Sequence, residues 1–167
     1  MKYKMKKPKI VTIGVYGFTE SSFFASLVNA RVDTFCDIRM RRGMRGAKYS
    51  FVNSQYLQNR LKELGIRYVH VKELAPSQEI RNKQLQADKQ LGNGKQTRTI
   101  LSQDFVQSYK TQCLNMFKAN EFLDGLDENT ECLALFCVER EPKACHRSLV
   151  AEQLENTMTL EVQHILP

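Results

Sequence analysis

The feature that most constrains the fold is an alternation of five short apolar runs, at 9–14, 32–38, 66–71, 130–137 and 160–165, with segments of helical periodicity. Each run has the length and the β-branched or alternating composition of a strand. Phe23, Phe24, Leu27 and Val28 repeat at helical spacing behind Thr19 or Ser21 as the cap. Tyr56, Leu57, Arg60, Leu61 and Leu64 do so between Asn53 and the stop signal Gly65. Ser77 caps a helix that runs through Leu91, and Ser102 opens another with Phe105, Val106, Tyr109, Cys113, Met116, Phe117 and Phe122 on its inner stripe. A last helix spans 142–156, with Pro142 at its first position. Parallel strands of one sheet need a helix to return the chain, so the pattern predicts a single three-layer, Rossmann-like α/β domain over 1–167. Its sheet is expected to be mainly parallel, with about five strands.

A chain of 167 residues buries roughly 70% of the surface its unfolded form exposes, so neither a disulfide nor a metal is needed for folding. With 42% hydrophobic and 26% charged residues, wholesale disorder is excluded. The irregular part is 75–102, which is rich in Lys, Arg and Gln and broken at Gly92-Asn93-Gly94. A connection of that length reads as a lid or a mobile insertion.

The formal net charge of +7 favours a phosphate-bearing small molecule or nucleic acid as partner. Much of the charge lies in two places: Arg39, Arg41, Arg42, Arg45 and Lys48 in one loop, and Arg140, Lys143 and Arg147 near the last helix. No apolar run is long enough to span a bilayer, so no membrane partner is expected. The first nine residues are basic, unlike a secretory leader, and the five cysteines are odd in number with no CxxC pair. These features predict a reduced, cytoplasmic protein with free thiols.

In an open parallel sheet the ligand crevice lies beyond the carboxyl ends of the strands. Gly14, Asp37-Ile38-Arg39, His70 and Cys137-Val138-Glu139 all stand at such ends. The densest chemistry is in Cys137-Val-Glu-Arg-Glu-Pro-Lys-Ala-Cys145-His146-Arg147. Cys145 falls near a helix start, where unpaired N–H groups favour a thiolate, and it is the stronger nucleophile candidate. Cys137 is the other, or else part of the wall. Glu139 and His146 are the acid/base candidates. Asp37 and Arg39 share a strand face, pairing an orienting carboxylate with an anion-binding guanidinium, and Arg42 and Arg147 complete the anion-binding set. Each also has a plainer reading: an internal Asp37–Arg39 ion pair, a loop contact for Glu139, a surface pair for Arg147, and a core role for His70, Cys36, Cys113 and Cys132.

Zinc at Cys137, Cys145 and His146 lacks the usual CxxC or HxxxH spacing and would need a fourth ligand from His70, His164 or Cys36. No metal and no cofactor is therefore expected. A Cys137–Cys145 disulfide is a lesser option, as a redox event. Gly14-Val-Tyr-Gly17 is not a dinucleotide-binding GxGxxG.

Four segments together resemble the domain-of-unknown-function 488 family: Thr12-Ile-Gly14, Asp37-Ile-Arg39, Leu64-Gly-Ile-Arg-Tyr-Val-His70 and Phe136-Cys-Val-Glu-Arg-Glu-Pro-Lys-Ala-Cys-His-Arg147. The last matches the family pattern CxExxPxxCHR, and Arg41-Arg-Gly-Met-Arg-Gly46 and Leu74-Ala-Pro-Ser-Gln-Glu-Ile-Arg81 are similar to a basic subgroup. Val15-Tyr16 stands where many members carry His-Ser, so a histidine role there does not carry over. The resemblance implies a Rossmann-like fold and a shared polar set of Asp37, Arg39, Cys137, Glu139, Cys145, His146 and Arg147. It brings no activity with it. The expected function is an enzyme acting on a phosphate-bearing substrate, a nucleotide or nucleic acid. One alternative is a non-catalytic nucleic-acid-binding module that uses 39–48 and 78–98. Another is rhodanese-like sulfur transfer or thiol redox, on fold-level analogy alone.

Overall fold

A computed structural model describes residues 7–167; the basic stretch at 1–6 lies outside the described residues. Five parallel strands form one sheet in the order β3-β2-β4-β1-β5: β1 (Lys9–Ile13), β2 (Thr34–Asp37), β3 (Arg67–His70), β4 (Cys132–Phe136) and β5 (Val162–Ile165). The expected α/β architecture is thus present, and the sheet is parallel throughout rather than mainly so. β4 is inserted between β1 and β2, and all five residues of β4 are buried, whereas both edge strands are partly exposed. The apolar run of β4 follows from that central place, since both faces are covered.

Six helices cover the sheet: α1 (Glu20–Asn29), α2 (Ser54–Glu63), α3 (Gln78–Leu91), α4 (Gln103–Gln112), α5 (Ala119–Asp124) and α6 (His146–Met158). Thr19 caps α1 through a reciprocal box with Ser22, and Ser77 and Ser102 cap α3 and α4 through the amides of Ile80 and Phe105. Asn53 stands at the start of α2, but its side chain accepts from the Met44 amide and steadies the preceding loop instead. On one face Phe23 of α1 packs edge-on against Phe35 and Phe136, with centroids 6.4 and 5.6 Å away. On the other, α6 buries Leu149, Val150, Ala151 and Leu154 and packs on β1, β4 and β5.

Two helix predictions need correction. The stripe from Phe105 to Phe122 is not one helix: α4 ends at Gln112, a 3-10 turn covers Leu114–Met116, and α5 is separate. The chain folds back there so that α5 reaches α6, Phe117 and Phe122 pack on each other at 5.3 Å, and Met116 is left 79% exposed. The last helix begins at His146, not Pro142. Pro142–Ala144 is its own 3-10 turn, and Cys145 is the residue at the helix cap, in extended conformation.

Segment 75–102 contains the 14-residue helix α3, stopped by Gly92 in the left-handed region at φ 67°. Its end is tied to the β4–α6 connection by the Leu101 amide, which donates to the Lys143 carbonyl at 2.9 Å.

Gly14, at the end of β1, is pressed against that same connection. A β-carbon there would meet the Glu139 carbonyl oxygen at 1.8 Å and Arg147 Nη1 at 3.1 Å. Gly14→Ala is expected to cost about 3 kcal/mol or more in urea unfolding, because the obstacle is backbone. Gly43→Ala, with open space around the position, should leave the unfolding midpoint close to wild type.

Candidate functional site

The carboxyl ends of β2 and β4 open onto a cavity of about 320 Å³ that is closed from the other side by α3 and the loop after it. Cys137, Glu139, Cys145 and His146 line it from the sheet side, Arg39 and Arg41 from the β2 loop, and Arg81, Lys95 and Arg98 from segment 75–102.

The four groups from the β4–α6 connection form one buried cluster. Cys137 Sγ lies 3.3 Å from Glu139 Oε2, and His146 Nδ1 lies 3.8 Å from the sulfurs of both Cys137 and Cys145. The other ring nitrogen of His146 is 3.0 Å from the Ile38 carbonyl oxygen. An N–H at that position donates to the carbonyl, so in the neutral ring it is Nδ1 that turns a lone pair toward the sulfurs. The sulfurs of Cys137 and Cys145 and Nδ1 of His146 all lie within 4.8 Å of one another, and all three residues are buried. No disulfide joins the cysteines. His70, His164 and Cys36 do not join this group: His70 bonds the Arg39 carbonyl, His164 bonds Thr12 on β1, and Cys36 lies in the sheet core.

Electrostatics separate the two thiols. The hydrogen bond to Cys145, and then burial, push the Cys137 thiol well above its usual value. Burial alone would also raise Cys145, but the hydrogen bond from Cys137 and the charges of His146 and Arg147 hold it well below the usual thiol value. Burial, with the neighbouring Cys145, raises the Glu139 carboxyl, against the lowering effect of Lys95 and Arg98. Burial lowers the His146 imidazole, yet Cys145 and Glu139 outweigh it and leave the imidazole raised.

The other expected residues are placed differently. Asp37 is fully buried and does not line the cavity. Its oxygens accept from Arg39 Nε at 2.9 Å, Arg39 Nη2 at 2.7 Å and the Tyr68 hydroxyl at 2.8 Å. Arg39 touches the cavity, but its guanidinium also bonds the Val52 carbonyl and stacks 4.7 Å above the Phe136 ring. Arg42 is half-buried beside the Tyr68 hydroxyl. Arg147 is 0% exposed and donates to the carbonyls of Glu139 and Arg140, with Nε 3.4 Å from Thr12 Oγ1. It braces the loop that carries the cluster, and this engagement accounts for an arginine after Cys-His.

Sequence reasoning missed Arg98. Its Nη1 meets Asp88 at 2.6 Å, its Nη2 meets Glu139 at 2.8 Å and its Nε donates to the Ala144 carbonyl, while Gln84 holds the second oxygen of Asp88. One buried guanidinium thus fastens segment 75–102 to both ends of the Cys137–Cys145 loop. The signal was thin, an acidic and a basic residue on either side of the Gly92-Asn93-Gly94 turn in a polar stretch.

The family model described as "Domain of unknown function DUF488" matches residues 21–154. The chain belongs to this family. No curated protein and no solved structure matches it. Among the described residues, no helix is long and apolar enough to cross a membrane.

Arg98→Ala leaves Asp88 and Glu139 buried without their cation, so it should destabilise the protein by about 3–5 kcal/mol in urea unfolding. Adding Asp88→Asn should recover part of that loss, because one of the two stranded charges is gone. If the double variant is no more stable than the single one, the pairing is not what makes Arg98 important.

Proposed function

We propose that this protein is an enzyme acting on a phosphate-bearing substrate of nucleotide size, bound in the cavity between the strand ends and segment 75–102. The observation that carries the reading is the contrast between wall and floor. Arg41, Arg81 and Lys95 line the wall and form no ion pair among the described residues. At the floor sit two thiols, an imidazole and a carboxylate. Cations that form no salt bridge around a concave site attract and orient an anion. A buried, preorganised cluster beneath them is where reacting groups are held.

The volume suits a small molecule or a single nucleotide unit, not a long track along a nucleic-acid backbone. Arg81 also donates to Gln78, and its Nε is buried with no hydrogen-bond partner among the described residues, so the side chain retains donor capacity. Arg98 stays with Asp88 and Glu139, holding the wall to the floor and fixing the carboxylate. In this reading Cys137, Glu139, Cys145 and His146 are the reacting centre, and Arg39, steadied by Asp37, shapes the rim.

Isothermal titration with adenosine triphosphate and with inorganic triphosphate tests it. Arg81→Ala with Lys95→Ala should weaken whichever compound binds by about tenfold or more, with a shallower salt dependence. Lys48→Ala, on the exposed part of the β2 loop and outside the cavity, should bind as wild type does. Absence of binding to either compound, or equal binding by the double variant, would sink the proposal.

A further inference from the structure

We infer that Cys137, Cys145 and His146 form a binding site for a single zinc-class divalent ion, with the fourth position open to the cavity beside Glu139. The three donor atoms come from residues nine positions apart at most, yet none of the familiar spacings brings them together. The fold does so. β4 ends at Phe136, the Pro142–Ala144 turn reverses the chain, and Cys145 and His146 arrive at the head of α6 facing the strand end.

Geometry and donor type both point to such an ion. A tetrahedral ion bonded to thiolate sulfur at about 2.3 Å and to imidazole nitrogen at about 2.05 Å separates those two donors by about 3.6 Å. His146 Nδ1 lies 3.8 Å from each of the two sulfurs. A dithiol pair alone needs no imidazole equidistant from both sulfurs. Two sulfurs and one nitrogen are the donors that zinc prefers over calcium or magnesium. His146 donates its other ring nitrogen to the Ile38 carbonyl, the outer contact that orients a ligating imidazole.

Burial adds a second argument. Cys137, Cys145 and His146 are all buried and hold their donor atoms close together on the cavity floor, so an ion bound there keeps its ligands with little competition from solvent. Glu139 Oε2 reaches to 3.3 Å of the Cys137 sulfur while Arg98 holds its other oxygen, which keeps a carboxylate beside the open position. Three protein ligands and one vacant place is the layout of an ion that binds a water or substrate oxygen. The ion's existence stands independently of the function proposed above; a role in orienting a substrate phosphate rests on it.

The test begins with wild-type protein purified without chelator from zinc-supplemented cells, analysed by mass spectrometry for about one zinc per chain. Metal-stripped wild type titrated with cobalt(II) should develop thiolate-to-cobalt charge-transfer absorption. That band should be lost in the Cys137→Ala, Cys145→Ala double variant and kept in Cys113→Ala, whose thiol lies outside the cluster. Chelator should also expose two further thiols to a thiol reagent in the wild type. Because these wild-type readings need no variant to fold, absence of both zinc and the charge-transfer band overturns the site, as does a band that survives in a folded double variant. Metal uptake without triphosphate binding would remove only the proposed function; triphosphate binding with no metal would remove only the ion site.

Discussion

The structure depends most on the way Arg147 holds the loop between β4 and α6. Its guanidinium is fully enclosed and donates to the carbonyls of Glu139 and Arg140, groups that no strand or helix ladder could satisfy in a turning segment. A buried charge is tolerated only where its donors are met, and here backbone oxygens meet them. Gly14 completes the arrangement by leaving no side chain between β1 and the loop, so the Glu139 carbonyl lies directly against the strand end. The amides of Val15 and Tyr16 then donate to the Val138 carbonyl, which locks the two strand ends together.

With that loop fixed, everything it carries is fixed. Cys137 leaves the central strand, Cys145 enters α6, and the short 3-10 turn between them determines how far apart their sulfurs lie. Arg98 makes the second connection, joining α3 through Asp88 to Glu139 and to the Ala144 carbonyl. The wall that bears Arg81 and Lys95 is therefore built onto the cluster by buried ionic contacts, where solvent screens them little. The cavity and its floor form one unit for the same reason.

A different buried network occupies the opposite face of the β2 end. Asp37 accepts from both Arg39 and Tyr68, with Arg39 lying over Phe136. The spacing of Asp37 and Arg39 on a strand made those two look like part of a single polar set with the cysteines. The alternation of side chains across a sheet sends them instead toward the α1 side, where Phe35 and Phe136 pack, while only the edge of Arg39 reaches the cavity.

Alternating apolar runs and amphipathic segments determined by themselves the α/β class, the parallel sheet and the strands' places in the chain, because these follow from local periodicity and from the need for a helix in every parallel crossover. The Cys137–Arg147 stretch was legible as a dense group of polar side chains at a strand end, and the fold brings Cys137, Glu139, Cys145 and His146 from it to one cavity. The break after α4 and the separate turn at Pro142 were not legible, since a helical stripe does not record where the chain must fold back onto another helix. Only the tertiary structure decided that β4 lies between β1 and β2, that Arg98 from a polar segment 41 residues away closes on Glu139, and that His146 turns Nδ1 to two sulfurs. Those are long-range matters, settled by packing and by the pairing of buried charges, and no local pattern encodes them.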